Sequence, residues 1–85
     1  MPEWSVYIIE ACDGSLYTGI TTDVERRFAE HGSTEKGAKY FRGRKPKKVV
    51  YKEHQPDRSK ALRREAEIKK MTRELKLDLI IRSSN

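Results

Sequence analysis

Tyr7, Tyr17, Arg27 and His31 are the residues whose types and spacing suit chemistry in this 85-residue chain. Tyr7 lies in the apolar run Val6-Tyr7-Ile8-Ile9. Tyr17 opens Tyr17-Thr18-Gly19 ten residues later, Arg27 follows after ten more, and His31 stands one helical turn beyond Arg27. Glu65 is the fifth. Helical spacing surrounds it with Ala61, Leu62, Ile68 and Lys69, inside an apolar stripe where a carboxylate is costly unless it meets a cation or a metal. An arginine is permanently charged and offers a planar fork that fits a phosphate. A phenol with a free pKa of ~10 can position a water, but deprotonates it only with a cation nearby. A histidine can relay a proton or hold a tyrosine hydroxyl. Such a set meets the needs of phosphodiester hydrolysis: an activated water, neutralised transition-state charge and help for the leaving oxygen. Plainer readings stand beside this one. Tyrosines fill sheets, Arg27 and His31 suit the edge of a core, and Glu65 can pair with Lys69 or Arg27.

Convergence of these residues depends on the elements that carry them. Ser5 to Ala11 reads as a strand with both faces covered, and Ser15 to Ile20 as its return. A two-residue Asp13-Gly14 turn would pair Tyr7 with Ile20 and put the tyrosines on opposite faces. A three-residue loop, Cys12-Asp13-Gly14 with Gly14 left-handed, puts both on one face. The sequence permits either, and shared chemistry requires the second. Thr22-Asp23-Val24-Glu25 reads as a capping box opening a helix over Thr22–His31, with Val24 and Phe28 as its apolar stripe and Gly32 as its stop. Arg27 and His31 flank that stripe, while Arg26 and Glu30 read as a solvent pair. Val49 to about His54 forms a third strand. A second helix spans Arg58–Met71 with Asp57 or Ser59 as cap, and a third spans Arg73–Arg82 with Leu75, Leu79 and Ile80 as its apolar residues. His54 and Trp4 read as structural. The expected fold is a single α/β (α+β) domain over residues 1–85: a three-stranded antiparallel sheet flanked by three helices.

With Tyr7-Ile8-Ile9, Tyr17-Thr18-Gly19 and Arg27 in this joint spacing, the chain resembles the GIY-YIG nuclease family. It departs at the first element, where Val6 precedes Tyr7 and the family name has Gly-Ile. Glu65, three residues before the Ile68-Lys69 pair, is similar to the family's metal-binding glutamate. The resemblance implies a one-metal endonuclease acting through Tyr7, Tyr17, Arg27, His31 and Glu65. Glu65 would hold a single Mg²⁺ or Mn²⁺, an ion that typically keeps several waters and uses one or two carboxylates. Tyr7 is the favoured base, and the choice between the tyrosines stays open. Several family members carry an active-site asparagine after the glutamate helix. Asn85 alone stands there, and no role is carried over to it.

Residues 38–48 interleave six basic residues with two aromatics, a composition that can follow a phosphate backbone. Lys39, Tyr40, Arg42, Arg44, Lys45, Lys47 and Lys48 are the candidate nucleic-acid ligands, although a solvated loop reads the same way. Gly37 to Arg44 and Pro46 are similar to the small single-domain bacterial branch of the family and its structure-selective eukaryotic relatives. Phe41, Lys45 and Lys47 depart from that pattern.

The net charge of +6 suits a polyanion. At this length a chain buries only roughly 60–65% of its unfolded surface and has one core. Base sequence would then be read poorly, leaving shape, or a protein partner, to select a branched, flapped or single-stranded target. DNA is favoured over RNA. Cys12 is the single cysteine, so no internal disulfide forms and a cytoplasmic location is expected. No signal peptide or membrane span is expected. Two rival readings remain: a nucleic-acid-binding module that keeps the fold without cleaving, and an adaptor whose basic loop meets an acidic protein.

Overall fold

Strand β1 (Trp4–Ala11) runs through the middle of the sheet and organises both sides of it. The computed structural model describes residues 3–33, 41 and 43–83. Strands β2 (Leu16–Thr21) and β3 (Pro46–Gln55) pair with β1 on either side, both antiparallel, in the order β2-β1-β3. Successive side chains of a strand point to opposite faces. Val6 and Ile8 therefore enter one apolar cluster, with Tyr51, Ala61 and Ile68. Tyr7, Ile9 and Ala11 enter another, with Val24 and Phe41. Helix α1 (Val24–His31) covers the Tyr7 face. Helices α2 (Arg58–Lys69) and α3 (Arg73–Ser83) cover the Val6 face. With both faces covered, Val6 to Ile9 are at most 1% exposed.

The hairpin between β1 and β2 is the three-residue loop. The Gly14 amide donates to the Ala11 carbonyl at 2.9 Å and the Ala11 amide to Ser15 at 2.9 Å. Gly14 has φ +85°, a conformation that costs other residues roughly 1–2 kcal/mol. The resulting register sets Ile9 opposite Tyr17 and Tyr7 opposite Gly19, so the two tyrosines share a face. Asp13 fastens the loop, accepting from the Ser15 amide at 3.0 Å and from Arg44 Nε at 3.1 Å.

Four local expectations are corrected. Helix α1 is capped by Asp23, whose carboxylate accepts from the Arg26 amide at 3.0 Å; Thr22 is exposed. The reason lies at the end of β2, where Thr21 Oγ1 accepts from the Asp23 amide at 3.2 Å, and the chain turns one residue later than the capping box requires. Helix α2, capped by Asp57, ends at Lys69 rather than Met71, because Thr72 takes the Leu75 amide at 3.2 Å and starts α3. On α3 the apolar contacts to the core come from Leu79 and Ile80, while Leu75 is 56% exposed. His54 is exposed at the surface, 3.4 Å from Glu3, and Trp4 is the structural member of the pair, packed against the Val6 cluster.

Glu53 ties α2 to the sheet. It accepts from Tyr51 Oη at 2.5 Å, from Gln55 Nε2 at 2.5 Å and from Arg64 Nε at 3.1 Å. Burial raises the Tyr51 phenol, and the bond to Glu53 raises it further. Burial opposes the Glu53 charge, but its hydrogen bonds from Tyr51, Gln55 and Arg64 hold it below the usual carboxylate range. No helix among the described residues is long and apolar enough to cross a membrane.

The capping assignment has a direct test. Asp23→Ala should lower stability by about 1 kcal/mol, the usual cost of losing an N-cap side chain. Thr22→Ala should change it by under about 0.5 kcal/mol, as for other exposed positions. Denaturant unfolding of the two variants checks both.

Candidate active site

Tyr7 can lie where it does because residue 19 is glycine. The Tyr7 ring passes over the backbone of the neighbouring strand, and a Cβ on Gly19 would stand 2.5 Å from its hydroxyl and 2.7 Å from its Cζ. Such contacts are far inside van der Waals distance, so no other residue fits without moving the ring. Tyr7 is 1% exposed. Its hydroxyl lies 2.9 Å from His31 Nε2 on α1. Tyr17 stands beside both, with ring centroids 6.3 Å from Tyr7 and 5.2 Å edge-on to His31. Phe41 closes the group, 4.6 Å from His31 and 5.1 Å from Tyr17. Such tilted and edge-on arrangements are the favoured ones for aromatic rings.

Burial sets the protonation states. It pushes the Tyr7 phenol up to about 12, and Tyr17 pushes the same way, while the bond and charge of Arg27 resist. The carboxylate of Glu65 adds a smaller upward push. Burial also lowers His31 to about 4, assisted by the positive charge of Arg27. At neutral pH the pair is therefore a neutral phenol against a neutral imidazole. In the tautomer with a bare Nε2, Tyr7 donates to His31.

Arg27 is the fixed charge of the site. Its Nη1 donates to Glu30 Oε1 at 3.0 Å, and it also bonds Tyr7. Burial works against its charge, but these two bonds outweigh that effect and raise its pKa. The expected Arg26–Glu30 pair is thus replaced by Arg27–Glu30, at the i,i+3 spacing that helices allow. Arg26 is exposed.

Glu65 lies at the boundary of α2 rather than deep in its stripe. Ala61 and Ile68 are buried, Leu62 and Lys69 are exposed, and the Glu65 side chain is 18% exposed. Lys69 Nζ pairs with it at 3.4 Å. Tyr7, Tyr17, His31 and Arg27 are thus in one group, and Glu65 is near enough for its charge to act on Tyr7. Of the basic segment, Lys39, Tyr40 and Arg42 lie outside the described residues. Arg44 is held by Asp13, the Lys45 carbonyl takes the Cys12 amide at 2.8 Å, Lys47 is 3.9 Å from Glu10, and Lys48 is exposed on β3. Among the described residues no three metal-ligating side chains cluster. Glu65, a single and partly accessible carboxylate, fits an ion that keeps most of its waters.

Three contributors take on roles here that the sequence pattern does not assign. Phe41 is a wall of the site, and only its apolar type within a polar segment hinted at this. Glu30 orients Arg27, which i,i+3 spacing would have allowed. Gly19 was read as part of a motif, but its role as the gap beneath Tyr7 depends on register.

Residues 3–78 match the family model described as the GIY-YIG catalytic domain. The chain belongs to the GIY-YIG family, a family of nucleases. It is 60% identical over 74 residues to a UPF0213 protein of Haloquadratum walsbyi, covering 87% of this chain and 82% of that one. It is 49% identical over 79 residues to a UPF0213 protein of Desulfotalea psychrophila, covering 93% and 72%. The solution NMR structure of a UPF0213 protein from Bacillus halodurans aligns with a TM-score of 0.58 at 46% identity, covering 92% of this chain and 82% of that one.

Gly19→Ala should displace the Tyr7 ring and break its bond to His31, with a stability loss of about 1–3 kcal/mol, as for other overpacked interiors. A structure of the variant, read at the Tyr7–His31 distance, checks this; an unmoved ring would contradict it.

Proposed function

We propose that this protein is a metal-dependent endonuclease that hydrolyses phosphodiester bonds in nucleic acid, DNA in the first place, choosing its target by shape. The observation that carries the reading is the convergence of Tyr7, Tyr17, His31 and Arg27 in one group with the Glu65 charge beside it. Hydrolysis joins a water oxygen to phosphorus, releases a proton and expels an oxygen that must be neutralised. Glu65 would hold the divalent ion, Mg²⁺ or Mn²⁺, which supplies charge neutralisation at the phosphate. Arg27, steadied by Glu30, presents a permanent charge to the same phosphate. Tyr7, once ionised, would take the proton of the attacking water, and His31 Nε2, 2.9 Å away, orients its oxygen. With its phenol near 12 and its partner imidazole near 4, this pair is inert until positive charge is added. Any cation that approaches Tyr7 favours its ionised form, so binding of the divalent ion would switch the base on. Tyr17 packs the pair and shields it from bulk water. The basic segment from Lys39 to Lys48, with Tyr40 and Arg42, would follow the phosphate backbone. A protein partner is a further means of target selection in so small a domain.

Two arginines adjacent in sequence provide the test. Successive helical residues diverge by ~100°. Arg27→Ala should lower metal-dependent cleavage by about 10²–10³-fold, as for other donors that neutralise transition-state charge. Arg26→Ala, at an exposed position, should leave cleavage nearly unchanged and stability within about 0.5 kcal/mol. Single-turnover cleavage is measured across branched, single-stranded and duplex DNA and RNA with Mg²⁺ or Mn²⁺. Equal losses would show that both arginines serve only as general phosphate-binding charge. Absence of cleavage by the unmodified protein on the whole panel would favour a binding module.

A further inference from the structure

Charge is unevenly distributed along the chain. Between Arg58 and Ser83 lie nine Lys or Arg against four Asp or Glu, so the α2–α3 region carries +5 of the net +6. Several of these cations are engaged: Arg64 with Glu53 at 3.1 Å, Lys69 with Glu65 at 3.4 Å, and Arg82 with Asp78 at 3.1 Å. Lys60, Arg63, Lys70 and Arg73 are exposed, and none has an ion pair among the described residues. Lys60, Arg63 and Lys70 fall on one side of α2, since residues three and seven apart on a helix nearly align. Arg73 follows in the first turn of α3, three residues past Lys70. Glu67 shares that side and leans to Arg64 Nη1 at 3.7 Å.

Like charges crowded on one surface repel one another, and Lys60, Arg63 and Lys70 lie on the side of α2 turned away from its buried Ala61 and Ile68. They contribute little to packing, because the apolar contacts of these helices come from Ala61, Ile68, Met71, Leu79 and Ile80. A polyanion would relieve the repulsion and release its own counterions. Glu65 stands five residues from both Lys60 and Lys70, about 140° around the helix, so the basic side of α2 is turned away from it.

We infer that the α2–α3 corner, through Lys60, Arg63, Lys70 and Arg73, binds the phosphate backbone of a nucleic acid on the side of α2 turned away from Glu65. This rests on the nuclease reading and extends it with residues outside the basic segment from Lys39 to Lys48. Exposed charges of this kind, with no flanking aromatic among them, meet phosphates rather than bases, so binding is insensitive to sequence and sensitive to salt.

The test uses full-length Glu65→Gln protein, which binds without cutting, and labelled duplex DNA of arbitrary sequence in a salt series. Adding Lys60→Gln, Arg63→Gln, Lys70→Gln and Arg73→Gln should weaken binding at least tenfold at low salt. It should also flatten the log–log salt slope by about 0.7–0.9 for each phosphate that is no longer neutralised. Glu67→Gln alone should strengthen binding. Arg26→Gln with Lys52→Gln, exposed charges on α1 and β3, serves as the control for net charge, and circular dichroism verifies folding. An unchanged slope in the fourfold variant, or an equal loss per charge in the control, would overturn the inference. Because the readout is binding by Glu65→Gln, a failure of the unmodified protein to cleave would reject the nuclease reading without deciding this one.

Discussion

Tyr7 lies across the bare backbone of Gly19 with its hydroxyl against His31, and the rest of the structure is arranged to permit that contact. The ring needs a partner strand with no side chain at one position, and the pairing of Tyr7 with Gly19 provides it. That pairing needs a hairpin of three residues rather than two, which needs the left-handed Gly14. The imidazole must then arrive from above, at the last turn of α1, whose direction is set by the Asp23 cap and by Val24 and Phe28 on the Tyr7 face. A shift of one residue in the register would send Tyr17 to the far side of the sheet.

Alternation along β1 divides labour between the two faces. Val6 and Ile8 pack beneath α2 and α3 and make a core of ordinary apolar contacts. Tyr7 on the other face is as buried as they are, yet it carries a hydroxyl bonded to His31. Its burial has an electrostatic consequence: both Tyr7 and His31 are held in their neutral forms, because a low-polarity setting disfavours charge on either. Arg27 is the one permanent charge bonded to this group among the described residues, and Glu30 offsets part of it.

Much of this was legible in the residues. Runs of Val, Ile and Tyr marked β1, and Cys12-Asp13-Gly14 marked the loop whose geometry decides whether Tyr7 and Tyr17 can meet. Spacing of Val24, Arg27, Phe28 and His31 identified which side of α1 faces inward. What escaped depended on three-dimensional competition between near-equivalent groups. Thr22 and Asp23 are both good caps, and the choice fell to Asp23 because Thr21 holds its amide. Glu30 lies three residues from Arg27 and four from Arg26, both allowed spacings, and the inward-facing arginine took it. Leu75 matched the helical period of Leu79, but α3 touches the core mainly through Leu79 and Ile80. The Glu53 network joins β3 to α2 through residues no sequence pattern connects. Lys39, Tyr40 and Arg42, read as nucleic-acid ligands, lie outside the described residues.

The state of His31 tests the account most directly. Nitrogen-15 and carbon-13 NMR of the imidazole ring reports its charge and tautomer as pH is varied. Sealed against Tyr7 and Phe41 and close to Arg27, His31 should remain neutral well below the ordinary histidine pKa of 6.5 and titrate near pH 4. Titration at the ordinary value would contradict the burial, the neutral Tyr7–His31 pair and the charge-triggered base proposed on it.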